Sequence, residues 1–270
     1  HLKKKSLVAI FSFKEQSTLS YLTDFGFSNK IINDFFQPFF SGIFLEPDLK
    51  TSSRMFEFVY KMFGEGYAAV PKAGIEAIPK QLFRNLKNTT FNFNTKVASL
   101  NGSEIMLEDD TKLESLFTIV ATDASNLIPN LKMNSIKWKS CHVLYFETKS
   151  RVIRRKLIGL IAEKESLINN IFYATSLKTA TQTKKELLSV TIVDDKNLTH
   201  DLLIKRVKCE LKKYCGIHYD KFIKHYHFPM ALPNLVDLQY NMAPLETCLA
   251  PNTFLAGDTQ LNGSLNAAMI

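Results

Sequence analysis

The sequence predicts a mixed α/β (α+β) chain of two lobes that the backbone visits in turn, and three observations predict it. The continuous apolar run Phe117–Ala124 ends in small and polar residues, and the short run Thr253–Ala256 is followed by Gly257 and Asp258, as buried strands of an open α/β sheet are. Four alternating runs, Lys137–Glu147, Leu157–Ala162, Ile168–Ala174 and Leu187–Val193, are separated by polar turns and read as antiparallel strands. Apolar residues spaced three and four apart before residue 65 read as helices that bury one face.

In chain order, residues 1–20 are basic and then polar. Ser28 is placed to cap a helix carrying Ile31, Ile32, Phe35, Phe36, Phe39 and Phe40, with Pro38 and Gly42 marking its end. Ser52 or Ser53 starts a second helix with Met55, Phe56, Val59, Met62 and Phe63 on its apolar side. Such an aromatic stripe is ordinarily plain core, but the same residue types line apolar substrate cavities. Beyond Gly64 and Gly66, the chain turns at Gly74 into a third helix with Ile75, Ile78, Leu82, Phe83 and Leu86 on one side. Gly74 is either a helix-entry turn or a place where backbone approaches a flat ligand, which small residues permit.

Thr90–Phe93, Lys96–Leu100, Glu104–Glu108 and Thr111–Leu113 then predict a β-meander, with Asn101-Gly102 as its hairpin signal. The buried strand from Phe117 delivers Ala121, Thr122 and Asp123 to its end. The pattern shifts to the long antiparallel runs from about Pro129. Thr199 is placed to cap a helix that buries Leu202, Leu203, Val207, Leu211 and Tyr214, and Gly216 ends it. His225 to Phe228 reads as a strand leading into a Pro-bounded loop.

The final stretch concentrates the chemistry. Asp258 follows the Thr253–Ala256 strand, where open α/β sheets place ligand contacts. Gly263 and Ser264 supply a turn and an N-cap for an opening helix through Leu265, Ala267, Ala268 and Met269. A helix start would offer free amides and partial positive charge to a polar, electron-rich ligand. The plain alternative is a strand-loop-helix unit with a capping serine.

Composition narrows the classes. A chain of 270 residues with 46% hydrophobic content can bury a sizeable core. Its net charge of +8 favours anionic partners, yet 26 acidic residues are interspersed with 34 basic ones. The tight basic clusters are Lys3–Lys5 and Arg151–Lys156, and no nucleic-acid-binding signature accompanies them. Cys141, Cys209, Cys215 and Cys248 lack C-x-x-C spacing, which fits a reducing compartment. No apolar run is long enough to span a bilayer. No G-x-S-x-G elbow, phosphate loop or G-x-G-x-x-G turn occurs. His225 and His227 share a strand face and could ligate a metal, but no acid or cysteine stands at a matching spacing, so no metal is expected.

Five stretches in order resemble the flavin-containing amine oxidoreductase superfamily, including its phytoene desaturase and protoporphyrinogen oxidase-like members. They are Phe36-Gln-Pro-Phe-Phe-Ser-Gly-Ile-Phe-Leu-Glu-Pro-Asp-Leu with Thr51–Phe56, Ala69–Leu82, Asn94–Ser99, Thr118–Ala124, and Phe254–Ala268. The second resembles a P-x-G-G-M-x-x-I-P-x-x-L motif, with Ala73 in place of the first glycine and Ile75 in place of the methionine. The resemblance implies a partial FAD/NAD(P)-binding, Rossmann-like lobe (66–128 and 246–270), interleaved with a substrate lobe (1–65 helical, 129–245 mostly antiparallel sheet).

It also implies FAD as cofactor and site roles. Gly257 and Asp258 would contact the ribityl–pyrophosphate region. Ser264, Leu265 and Asn266 would face the pyrimidine end of the isoalloxazine. Val97 would bond the adenine through its backbone, Ala121 and Thr122 would pack on the dinucleotide, and Gly74 would lie beside the flavin. The implied reaction is hydride transfer to flavin N5 from an apolar or amine small molecule. The Phe/Met-rich helices and the sheet around Cys141–Phe146 would enclose an apolar cavity. No acid or base is assigned. In the superfamily a strand and a G-x-G-x-x-G turn precede everything seen here, so the chain is expected to be a fragment that lacks flavin by itself. The alternatives are a flavin-less binding module using the apolar groove, or a protein held on a membrane surface by its basic residues. The expected setting is cytoplasmic, with peripheral contact at the inner membrane surface.

Overall fold

Serines set the helix starts. Ser17, Ser28 and Ser52 each accept a hydrogen bond from a backbone amide two or three residues on. In the computed structural model, which describes residues 2–124, 127–128, 136–178 and 184–269, the first helices are α1 (Leu7–Phe11), α2 (Thr18–Asp24) and α3 (Asn29–Ile31). They are followed by α4 (Gln37–Phe44), α5 (Ser53–Glu65) and α6 (Ala77–Asn85). Pro38 does not end the helix that Ser28 begins. Ile32–Phe36 between α3 and α4 is π-helical, so the hydrogen-bond ladder is already shifted where Pro38 has no amide to give. The run continues to Leu45, which closes it in the left-handed conformation (φ 51°). Leu22, Ile32, Phe36, Phe40, Phe44, Leu49 and Phe56 form one buried cluster, with the Phe40 and Phe56 rings 4.7 Å apart. The α6 helix forms as predicted but buries none of its residues.

The meander is β1 (Val97–Asn101), β2 (Glu104–Leu107) and β3 (Lys112–Glu114), paired antiparallel in that order. Asn101 pairs with Glu104, so the turn is Gly102-Ser103, with Gly102 at φ 60°. The glycine sits where the left-handed residue is needed, one place earlier in the turn than the Asn-Gly pair predicts. Thr90–Phe93 is not a strand: no described strand lies beside it, and Asn94 turns the chain with φ 55°. The strand β4 (Thr118–Val120) follows. The predicted shift at Pro129 lies outside the described residues.

Strands β5 (Lys137–Thr148), β6 (Gly159–Leu160), β7 (Ile168–Tyr173) and β8 (Glu186–Ile192) follow as predicted, with β6 reduced to two residues. Then come α7 (His200–Cys215) and β9 (Lys221–Asn234). Their sheet has the order β6-β7-β8-β5-β9. The β9 strand runs on through Pro229, which an edge strand tolerates because its outer amides need no partner. Leu203, Ile204, Val207 and Leu211 of α7 pack on Leu144, Phe146, Ile171, Tyr173, Leu188, Val190 and Ile192 of the sheet. Gly216 ends α7 at φ 63°. Lys139 of β5 donates to the Phe44 carbonyl and the Thr51 hydroxyl, both at 3.0 Å. Burial holds its ammonium below the usual lysine range. Last come β10 (Cys248–Ala250) and β11 (Thr253–Leu255) in a sheet of order β10-β11-β4.

Two compact units result. One comprises His1–Lys5, Phe13–Phe83 and Trp138–Leu232; the other comprises Ser6–Ser12, Arg84–Lys137 and Pro233–Ile270.

Candidate functional site

In the second unit, β4 and β11 pair in parallel. Thr118, Ile119 and Val120 stand opposite Thr253, Phe254 and Leu255. The Ala256 amide extends the ladder to the Val120 carbonyl at 2.9 Å. Both strands therefore end side by side, so Ala121-Thr122 and Gly257-Asp258 emerge at the same sheet edge. The carboxyl ends of adjacent parallel strands are where open α/β sheets hold ligands. Val120 and Leu255 enter a core with Leu100 and Ala124. On the other face, Ile119 and Phe254 join Phe117, Gly257, Gln260 and Ala268 around an apolar cavity of about 480 Å³. Ile119 is 69% exposed, an unusual state for a residue of a parallel pair.

Gly257 takes φ 140° and ψ 171°, a backbone region essentially reserved for glycine. A Cβ there would meet nothing within 4 Å. Backbone shape thus demands the glycine, and its peptide remains open to a ligand. The Asp258 carbonyl accepts the Gly263 amide at 3.0 Å, closing the loop that follows. Asn262, which is buried, donates to the Gln239 carbonyl at 2.9 Å, and the Gln239 amide donates to the Leu261 carbonyl at 3.0 Å. Ser264 donates to Asn262 Oδ1 at 2.6 Å and accepts the Ala267 amide at 3.1 Å, so it caps as predicted. The helix it opens is only a single 3-10 turn, Ala267–Met269, within the described residues; Ile270 lies outside them. Leu265 and Asn266 are exposed.

The structure thus brings together Ala121, Thr122, Gly257 and Asp258, with Ser264 to Asn266 on the same loop system. Val97 is half-buried on β1 opposite Leu107, next to a slip in the ladder between Val97 and Ser99. Gly74 belongs to the other unit, at φ 90° with open space where a Cβ would be. Sequence reasoning missed Gln239 and Asn262. Their only signal is a polar Asn-Gly-Ser turn after the Gly-Asp pair, and nothing local marks Gln239.

Two other candidate groups lie in the first unit. His225 and His227 share a face, as predicted, and His142 of β5 joins them. His142 Nδ1 lies 2.9 Å from His225 Nε2, and its ring stacks on His227 with centroids 4.2 Å apart. His200 lies 4.9 Å from His225 ring to ring, and Asp195 is 3.3 Å from His142 Nε2. Burial and the neighbouring imidazoles hold His142 and His225 below the ordinary histidine range. Among the described residues no group of three or more histidine, cysteine or acidic side chains is arranged to hold a metal ion.

The helices enclose an apolar cavity of about 360 Å³ walled by Tyr21, Phe25, Phe27, Phe36, Phe56 and Tyr60. Burial and the Glu57 carboxylate push the Tyr21 phenol well above its usual range. The sheet around Cys141–Phe146 contributes no such cavity on the side of Leu144 and Phe146, because α7 fills it with core. Among the described residues no helix is long and apolar enough to cross a membrane.

Solved structures share this fold. A protein from Exiguobacterium sp. 255-15, provisionally assigned as a protoporphyrinogen oxidase, matches 98% of this chain and 69% of its own, with TM-score 0.69 and 14% identity. An oxidoreductase from Methanosarcina mazei matches 94% of this chain and 65% of its own, with TM-score 0.73 and 13% identity. This chain spans about two thirds of the length of these proteins. No curated protein sequence matches it. A family model for the flavin-containing amine oxidoreductases matches residues 6–268, and the chain belongs to that family.

Proposed function

We propose that the complete protein is an FAD-dependent oxidoreductase that passes hydride from an apolar or amine small molecule to flavin N5. The observation that carries this reading is the shared strand end, where Ala121-Thr122 and the open Gly257 peptide lie beside Asp258. These residues fit one side of the cofactor. Gly257 admits a diphosphate or ribityl chain against bare backbone. Asp258 suits a ribityl hydroxyl, because a carboxylate accepts hydrogen bonds and repels phosphate. Ala121 and Thr122 offer small surfaces for the dinucleotide, and the Val97 backbone offers the adenine a partner. Ser264, Leu265 and Asn266 would stand at the pyrimidine end, and Gly74 would permit close approach to a flat ring. Bound FAD would supply the two-electron acceptor. The residues of this chain would bind and orient it and, through Phe117, Ile119 and Phe254, keep water from one side.

The test is visible flavin absorbance of the complete gene product beside its Gly257→Val variant. Flavin should accompany the wild type and be lost from the variant while its circular-dichroism spectrum still reports a folded chain, with the melt lowered by the strain of a side chain at φ 140°. A flavin-free complete protein would sink this reading in favour of the apolar binding module.

A further inference from the structure

The segment 151–158, between β5 and β6, has a fixed base and an unusual tip. At the base, Arg151 Nε donates to Glu186 at 2.7 Å, and its Nη2 donates to the Thr175 carbonyl at 3.0 Å. The Val152 amide donates to the hydroxyl of buried Tyr173 at 3.4 Å. Ile153 packs on the main core, and Gly159 leaves room for it: a Cβ at 159 would lie 2.5 Å from Ile153 Cδ1. These contacts hold the backbone, so the residues beyond them project by construction.

What projects is both cationic and aliphatic. Arg154, Arg155 and Lys156 are exposed, and unlike Arg151 they have no acidic partner among the described residues. Val152, Leu157 and Ile158 are 50%, 55% and 54% exposed. Single exposed aliphatic residues are ordinary on protein surfaces. Here three of them share an eight-residue segment with three free cations and no acid.

We infer that this segment docks the protein on an anionic lipid surface. The cations match headgroup phosphates, and the branched aliphatic side chains enter the boundary beneath them. Nucleic acid would use the cations but leave the aliphatic side chains wet, and the segment has no aromatic ring for a base to stack on. The net charge of +8 adds long-range attraction to the same surface.

The experiment is co-sedimentation of the whole chain with vesicles of phosphatidylcholine alone or mixed with phosphatidylglycerol. Wild type should bind the mixed vesicles, bind neutral ones at least about tenfold more weakly, and release as salt rises. The R154Q/R155Q/K156Q variant should lose at least about tenfold in binding to the mixed vesicles. L157S/I158S should also weaken binding, and its residual binding should be more salt-sensitive than wild type. Circular dichroism should show all three proteins equally folded, because the changed side chains are exposed. Equal binding by the triple variant, equal binding to neutral vesicles, or no effect of L157S/I158S would each overturn the inference. Binding to an oligonucleotide duplex with none to vesicles would assign the patch to nucleic acid and overturn it too.

Discussion

Glu210 offers a quantitative test of the first unit. It lies on α7, is 5% exposed, and accepts from the Leu167 amide at 2.8 Å, the Ile168 amide at 3.2 Å and the Ser166 hydroxyl at 2.9 Å. Arg206 approaches its other oxygen at 2.9 Å from one helical turn away. Glu210→Ala would strand these donors unequally. The Ile168 amide keeps Ser166 Oγ at 3.0 Å, so only the Leu167 amide is left bare among buried side chains. An orphaned buried amide costs about 1–3 kcal/mol. The Arg206 pair is 38% exposed on the arginine side, and such i,i+4 pairs contribute only about 0.3–0.5 kcal/mol. Adding about 1 kcal/mol for the Ser166 bond gives a loss of about 2–4.5 kcal/mol.

Glu210→Gln retains an acceptor oxygen for the Leu167 amide and should cost about 1 kcal/mol, mainly the charge assistance. Urea unfolding, followed by circular dichroism, measures both variants. If glutamine is as damaging as alanine, charge rather than acceptance holds the corner, and the reasoning fails. A loss under about 1 kcal/mol for alanine would mean that water reaches the Leu167 amide, which fails it equally.

Other outcomes follow from the same physics. His142 and His225 have folded pKa values below the unfolded value near 6.5, so their contribution is complete above that value and is lost as pH falls below it through the lower folded values. Melting temperature should therefore drop between about pH 7.5 and about pH 5.5, and His142→Phe should flatten that dependence; parallel profiles would contradict it. Gly159→Val should cost at least about 2 kcal/mol in urea unfolding, because Ile153 Cδ1 and Ile171 Cγ1 lie 2.5 and 2.9 Å from the new Cβ; a neutral result would show that the segment yields. Gly257→Ala should destabilise by about 1–3 kcal/mol through backbone strain alone, since nothing crowds the site; an unchanged melt would mean that the loop relaxes to another conformation. Ile119→Ser should change the flavin-free melt by less than about 0.5 kcal/mol, given its exposure, yet weaken FAD binding; intact binding would separate the cavity from the cofactor.

Local signals carried much of the fold. Ser28, Ser52 and Gly216 mark helix ends because capping needs only neighbours in sequence, whereas Thr199 stands at the start of α7 with no side-chain cap bond; the long strands β5, β7 and β8 alternate plainly because one face is core. Failures came where a distant partner decides. Thr90–Phe93 alternates like a strand but has no described strand to pair with, and α6 has an amphipathic pattern yet no buried face. Pro38 misled because the π-helical turn before it, not the proline, sets the hydrogen bonding. In the candidate site, Gly257 and Asp258 were legible as a strand end. Gln239 was not, because its part is backbone bonding to a loop more than twenty residues away.

The candidate site depends on a parallel ladder between segments more than a hundred residues apart in sequence, which the bond from the Ala256 amide to the Val120 carbonyl closes at its end. Its integrity therefore follows the fold of the second unit. The histidine stack, the aromatic cavity and the 151–158 segment all lie in the first. Changes at sites with no shared partners act independently to within about 0.5 kcal/mol. Neutralising Arg154, Arg155 and Lys156 should thus leave flavin content untouched, and Gly257→Val should leave vesicle binding untouched. A variant in either unit that abolished both would mean that lipid docking and cofactor binding share one cooperative unit, against the division the contacts make. Independence would place surface attachment and redox chemistry on separate parts of one chain, each open to change without cost to the other.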